Sequence, residues 1–220
     1  VNVLCVDKTG TITENTMEVN GEIPMDGYDS QSMAPLKQII SDFASAMSSD
    51  NITMKAMKDY FNKPSGRKAV SVSPFSSQFK YSGAAFEDGS YVLGAPEFVL
   101  REDYDNYREQ IEQYSSEGYR VLVFGIYDGV IDGKALTGKV TPLGLVFLSN
   151  PIRKEAPETF KYFENQGVEI KVISGDNPVT VSQVALQAGI ANADNYIDAS
   201  TLTTDEAIED AVLRLSLIHI

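Results

Sequence analysis

The chain has 220 residues, 43% of them hydrophobic, and a formal net charge of −13. That length holds one large domain or two small ones, and the apolar fraction suffices for packed cores. The acidic balance argues against nucleic acid or anionic lipid as a partner. No apolar run reaches the 18 residues that read as a membrane span, and no signal-peptide pattern opens the sequence. The single cysteine, Cys5, excludes a disulfide framework and reads as a small core residue.

The β-forming run over 1–6 reads as a buried strand that delivers Asp7 to its exit. Asp7-Lys8-Thr9-Gly10-Thr11-Ile12-Thr13 follows. In open α/β sheets that exit is where ligands bind. A carboxylate there can act as a nucleophile toward phosphorus, giving an aspartyl-phosphate. Lys8, the Thr hydroxyls and the local N–H groups would then hold the phosphate oxygens. A strand closed by an Asx-turn is the plainer alternative for a lone Asp-Lys-Thr.

Strand character ends through the turn-rich stretch 21–27. Leu36, Ile39, Ile40, Phe43, Ala44 and Met47 fall at helical spacing, and a second helix is predicted over 53–61, before Pro64. Strands are predicted over 69–73, 80–86 and 90–93, with Asp88-Gly89 as a turn. A helix over 104–116 ends at Gly118, and strands follow over 120–126 and 142–149. Asp128-Gly129 and Asp132-Gly133 between them read as hairpin turns. From Lys154 the pattern becomes helix 156–165, strand 168–173 and helix 179–187, the last closed by Gly189.

The two ends of the chain thus share a β–α rhythm, and the middle is antiparallel α+β. The economical reading is one α/β domain, 1–19 with 140–214, interrupted by an inserted domain over 20–139. The last hexapeptide, Leu215-Ser216-Leu217-Ile218-His219-Ile220, reads as translated sequencing adapter, a non-native tail. Without it the chain has no histidine, which excludes His-based catalysis and His metal sites.

Ser174-Gly175-Asp176-Asn177-Pro178 follows the strand over 168–173 and opens a helix. A hydroxyl and a Gly amide there can hold a phosphate against the helix N-terminus. Alternatively Asp176 is a simple N-cap with Pro178 in the first turn. Asn150-Pro151-Ile152-Arg153 marks the return into the first domain, or is only a turn into the next helix.

The heptapeptide from Asp7 to Thr13, continued by Glu14-Asn15-Thr16-Met17, resembles the phosphorylation motif of the P-type ATPases of the haloacid dehalogenase-like superfamily. Ser174-Gly175-Asp176 resembles that family's Thr-Gly-Asp, and Asn150-Pro151-Ile152-Arg153 its Asp-Pro-x-Arg. Gly94-Ala95-Pro96-Glu97 resembles Lys-Gly-Ala-Pro-Glu. Phe75 matches the aromatic that stacks on adenine, Lys80 the lysine nearby, and Arg120 an arginine reaching the phosphates. Asn51 stands at an acidic adenine contact.

The resemblance implies a haloacid dehalogenase-like phosphorylation domain interrupted by an antiparallel α+β nucleotide-binding domain. It implies that Asp7 takes the γ-phosphate of ATP, with Lys8, Thr9, Ser174, Gly175 and Asp176 in the catalytic set. Mg²⁺ would be held by the Asp7 carboxylate and the Thr9 main-chain carbonyl. Asn51, Phe75, Lys80, Gly94, Arg120 and Arg153 would bind the nucleotide. The parent would be a membrane cation pump, for calcium or another divalent ion, with this portion facing the cytoplasm.

Four departures stand out: Leu93 for a lysine, Ser77 for an arginine, Asn150 for an aspartate and Asn51 for an acid. They predict weaker ATP affinity, or compensation by Arg67 or Lys68. No stretch after Asp176 resembles the family's distal Gly-Asp-Gly-x-Asn-Asp, so the isolated chain is expected to be phosphorylated poorly or not at all. Two other readings stand beside this one. A soluble phosphatase of the same superfamily would usually carry Asp where Thr9 stands; a non-catalytic nucleotide-sensing module would have no need of Asp7, Thr9 and Ser174.

Overall fold

The computed structural model describes residues 2–215 and 217–219, with residues 200 and 217–219 by backbone alone. Strand β1 (Val3–Asp7) runs into a single turn, Lys8–Ile12, where Gly10 takes φ +82°, a left-handed conformation that favours glycine. Strand β2 (Glu18–Pro24) precedes helices α1 (Leu36–Ala46) and α2 (Ile52–Tyr60). Strands β3 (Ser71–Ser73), β4 (Tyr81–Phe86) and β5 (Gly89–Gly94) follow, then the short helix α3 (Pro96–Leu100). A 3₁₀ segment over Arg101–Asn106 occupies the start of the helix predicted over 104–116, so α4 is only Arg108–Ser116. Next come β6 (Arg120–Tyr127) and β7 (Val140–Ser149), then α5 (Ala156–Asn165), β8 (Glu169–Ser174) and α6 (Pro178–Gln187). Strand β9 (Tyr196–Asp198), helix α7 (Asp205–Arg214) and strand β10 (Leu217–His219) complete the order. No helix among the described residues is long and apolar enough to cross a membrane.

Contacts divide the chain into two compact units. One holds Val1–Thr16, Gln113–Tyr119 and Asn150–Ile220; the other holds Met17–Glu112 and Arg120–Ser149. The first unit contains a parallel sheet in the order β1-β8-β10-β9. Leu4 and Val6 of β1 and Ile170 and Val172 of β8 face a core with Phe160, Val181 and Ala185, and Ile12 is fully buried in it. Cys5 points the other way and is exposed, as is Val3, because β1 is an edge strand and successive side chains alternate between faces. The expectation of a wholly buried strand with Cys5 in the core is therefore corrected.

The second unit is built on an antiparallel sheet in the order β2-β7-β6-β5-β4-β3. Alternate residues Leu122 and Phe124, Val146 and Leu148, Tyr91 and Leu93 share a core with Ile40, Phe43, Met57 and Phe61 from the region of α1 and α2. Phe43 meets Phe124 edge-on at 5.3 Å, and burying a ring of that size contributes about 2–3 kcal/mol. The two Asp-Gly pairs after β6 lie in one long excursion. Its ends are fixed by the Tyr127 hydroxyl, which accepts from the Thr137 and Gly138 N–H groups at 3.2 and 3.4 Å, and by the Tyr81 hydroxyl, which donates to the Lys134 carbonyl at 2.6 Å.

Strand β7 corrects the sequence-based boundary. It pairs with β2 and β6 in the antiparallel sheet, so the division falls after Ser149 and not before Val140. The other division falls after Thr16, three residues before the predicted one. The expected non-native tail, 215–220, includes residues 216 and 220, which lie outside the described residues. The backbone of Leu217–His219 runs parallel between β8 and β9.

Candidate active site

Parallel pairing of β1 with β8 sets Asp7 opposite Ile173, one residue before Ser174, so both candidate motifs leave the same edge of the sheet. Asp7 is exposed, and one carboxylate oxygen accepts the Lys8 N–H at 2.7 Å. Thr9 is extended (φ −79°, ψ 122°), which carries the chain out before Gly10 turns it back. Ile12 anchors the far side of the turn in the core, and the Thr13 N–H and hydroxyl both donate to the Lys8 carbonyl, at 3.1 and 3.3 Å.

Lys8 is 5% exposed, so its ammonium must be paired. It forms an ion pair with Asp176 and donates to Asn150 Oδ1 at 3.3 Å. Ser174 is buried and its oxygen accepts the Asp176 N–H at 3.3 Å, which leaves its own O–H as a donor. Asn177, not Asp176, caps α6: its side chain accepts from Val179 and Thr180 at 3.0 and 3.3 Å, with Pro178 opening the helix. The capping alternative for Asp176 is thereby corrected, and its carboxylate is directed to Lys8. Gly175 lies between these two.

The segment Asn150–Arg153 lies along the Asp7 loop. The Asn150 amide donates to the Thr16 carbonyl at 2.7 Å, Glu14 N–H donates to the Pro151 carbonyl at 2.8 Å, and Thr13 bridges Ile152. The Arg153 N–H donates to the Ile12 carbonyl at 3.0 Å and its guanidinium to the Gly10 carbonyl at 2.9 Å, with Glu14 4.0 Å away. Arg153, assigned from sequence to the nucleotide, braces the turn after Asp7.

In the second unit, Asn51, Phe75, Gly94 and Arg120 line one cavity of about 220 Å³, together with Thr53, Met54, Ser82, Leu93 and Leu122. Strand alternation puts Arg120 and Leu122 on one face of β6, and antiparallel register sets Ser82 opposite Leu93. Phe75 is 44% exposed, so it is not the core residue that a lone Phe usually is. Lys80 is exposed at φ +55° and does not line this cavity. Arg67 does not supply the missing basic group either; it pairs with Asp88 and lies over the Phe86 ring at 4.6 Å.

The sequence model of the haloacid dehalogenase-like hydrolases matches residues 1–213. The chain belongs to this family. It is 38% identical over 191 residues to the calcium-transporting ATPase CtpE of Mycolicibacterium smegmatis, covering 86% of this chain and 23% of that protein. It is 35% identical over 210 residues to the probable cation-transporting ATPase exp7 of Streptococcus pneumoniae, covering 94% of this chain and 26% of that protein. The chain is thus homologous to cation-transporting P-type ATPases and spans about a quarter of the length of these relatives. The crystal structure of a zinc-transporting PIB-type ATPase in its E2.Pi state shares the fold, with a TM-score of 0.58 and 18% identity, over 86% of this chain and 28% of that one.

Within this haloacid dehalogenase-like chain, sequence reasoning missed Asn177 as the cap, the bracing by Arg153, and Met54, Ser82 and Leu122 as pocket walls. The period-two pattern of β6 was a usable signal for Leu122. Gly94, which lines the cavity, is also required by backbone proximity: a Cβ there would sit 2.4 Å from the Lys80 carbonyl oxygen and 2.8 Å from the Tyr81 Cα. Gly94→Ala is therefore expected to force β4 and β5 apart and to cost about 1–3 kcal/mol. A urea unfolding curve with an unchanged midpoint would contradict this packing argument.

Proposed function

We propose that this chain is the catalytic segment of an ATP-driven cation pump, in which the second unit binds ATP and Asp7 accepts its γ-phosphate. The observation that carries the proposal is the convergence at one sheet edge of an exposed carboxylate, a buried ammonium and a buried hydroxyl. An Asp7 oxygen attacks the γ-phosphorus; the bond to the β-phosphate oxygen breaks, and ADP leaves with that electron pair. Lys8 and the Ser174 O–H are suited to hold the transferring oxygens, whose charge must be neutralised as the bond breaks. Asn150 and Asp176 position Lys8, and Arg153 positions the turn through Gly10.

The residues present fit a magnesium ion. Among the described residues one Asp7 oxygen accepts a hydrogen bond and the other has none, so the second is available as a hard donor, and the Thr9 main-chain carbonyl would be the second protein ligand. Bound there, the ion would supply further charge neutralisation. Thr9 also supports the pump reading over the soluble phosphatase. A side chain without an acidic proton leaves the acyl-phosphate without an adjacent general acid or base, which lengthens its life. CtpE is named a calcium-transporting ATPase and exp7 a cation-transporting one, which supports a cation as cargo, calcium or another divalent ion in the first instance; a parent in the membrane, with this portion on the cytoplasmic side, belongs to the same proposal. The isolated chain is proposed to bind nucleotide weakly, since Leu93 and Ser77 stand where the family carries a lysine and an arginine, and to be phosphorylated poorly, since no stretch of it after Asp176 resembles the distal acidic motif.

Phe75→Ala tests the binding half. Stacking of a base on an aromatic ring contributes about 1–3 kcal/mol, so ATP affinity is expected to fall about five- to 150-fold. The fold should survive, because the ring is half-exposed. Calorimetric titration giving unchanged affinity would remove the pocket from the proposal.

A further inference from the structure

Helices α5 and α6 end in the same way. Gly167 and Gly189 follow them at φ +73° and +80°, the left-handed conformation that closes a helix. The Gly167 N–H donates to the Glu164 carbonyl and the Val168 N–H to the Phe163 carbonyl, at 2.9 and 3.0 Å. The Gly189 N–H donates to Leu186 and the Ile190 N–H to Ala185, at the same two distances. Both turns, with the first residues of β8, line one hollow of about 280 Å³. It lies at the opposite end of β8 from Ser174, apart from the phosphoryl-transfer site. Phe160, Ile170 and Ile190, all buried, give it an apolar floor.

Two helix C-termini thus bring partial negative charge to the same hollow. Glu164 and Glu169 add carboxylates, and its lining includes no basic side chain. Glu169 accepts from Lys171 Nζ at 2.7 Å, whereas the exposed Glu164 carboxylate has no partner among the described residues. The Asn192 amide oxygen is a further acceptor. A metal ion suits this donor set poorly, since no group of three or more His, Cys, Asp or Glu side chains that could hold one occurs among the described residues. An organic cation suits it well, with its charge at the carboxylate and helix ends and its stem on the apolar floor.

We propose that this hollow binds an alkyl-guanidinium or alkyl-ammonium group. An arginine or lysine side chain carries that chemistry, and so does a free polyamine.

The test is an amide NMR titration of the whole 220-residue chain with n-butylguanidinium at fixed ionic strength. Saturable shifts are expected at Gly167, Gly189 and Asn192. Uncharged n-butylurea, nearly the same in shape, should bind about threefold more weakly or worse. Glu164→Gln should weaken n-butylguanidinium by a similar factor of about three or more, and its exposure makes it harmless to the fold. Spermidine binding more tightly than N-acetylarginine amide would support the site with a polyamine as occupant; the reverse would support it with a protein side chain. Failure to saturate, equal binding of n-butylurea, or an unchanged affinity in Glu164→Gln would overturn the proposal. So would shifts of equal size along α7, whose acidic residues would report non-specific attraction to the acidic chain.

Discussion

Asp7→Asn in the full-length gene product is expected to abolish phosphate incorporation from ATP, a loss of at least about a thousandfold. The substitution is nearly isosteric, and its side-chain oxygen can still accept the Lys8 N–H, so the geometry of the turn should persist. What disappears is the anionic oxygen that attacks phosphorus, and an amide is no substitute nucleophile. Quenched-flow measurement of the phosphoenzyme at saturating ATP reads the loss directly. Undiminished incorporation would show that another residue receives the phosphate. An unchanged affinity for ATP alongside the loss is also expected, since the cavity containing Phe75 and Asn51 belongs to the second unit.

Lys8→Met should have the second largest effect, a fall of about 10²–10³ in the rate of phosphoenzyme formation. The ammonium is almost wholly removed from water and is fixed from two sides, by Asp176 and by Asn150. A charge held in advance near the transferring oxygens costs no reorganisation at the moment of reaction, which is why its loss should be felt in rate more than in binding. The thermal midpoint should drop only modestly. Met approximates the length of the apolar stem, and the carboxylate left behind on Asp176 is 41% exposed and can be solvated. A rate within a few-fold of the unaltered protein would remove Lys8 from the chemistry and leave it a structural tie.

The parts of this site that were legible in sequence were local. Asp7 and Ser174 each follow a short apolar run and stand at a change to polar, turn-forming residues, so strand, exit and chemistry can be read from a few consecutive positions. The parts that were not legible depend on pairing across the chain. Arg153 reaches Gly10 across 143 positions, and no local pattern announces that bond. Met54 and Ser82 become walls of the cavity only when α2, β4 and β5 are brought together.

Apolar runs also concealed their surroundings. Leu4, Cys5 and Val6 are all apolar, so their alternation between a packed and an open face leaves no trace in composition. Strand β7 is buried nearly throughout because it lies inside its sheet, and a continuous apolar strand does not reveal which sheet it joins. Asp176 and Asn177 are both good capping residues and adjacent, so only the observed bonds from Val179 and Thr180 distinguish them.

The central claim, that Asp7 is the phosphoryl acceptor, is tested most directly by mapping the phosphate. Full-length protein labelled with radioactive ATP and Mg²⁺, acid-quenched and treated with borohydride, converts an aspartyl-phosphate to homoserine at the modified position. The account predicts hydroxylamine-sensitive label and homoserine at position 7. Label that resists hydroxylamine, or homoserine at any other aspartate, would contradict it.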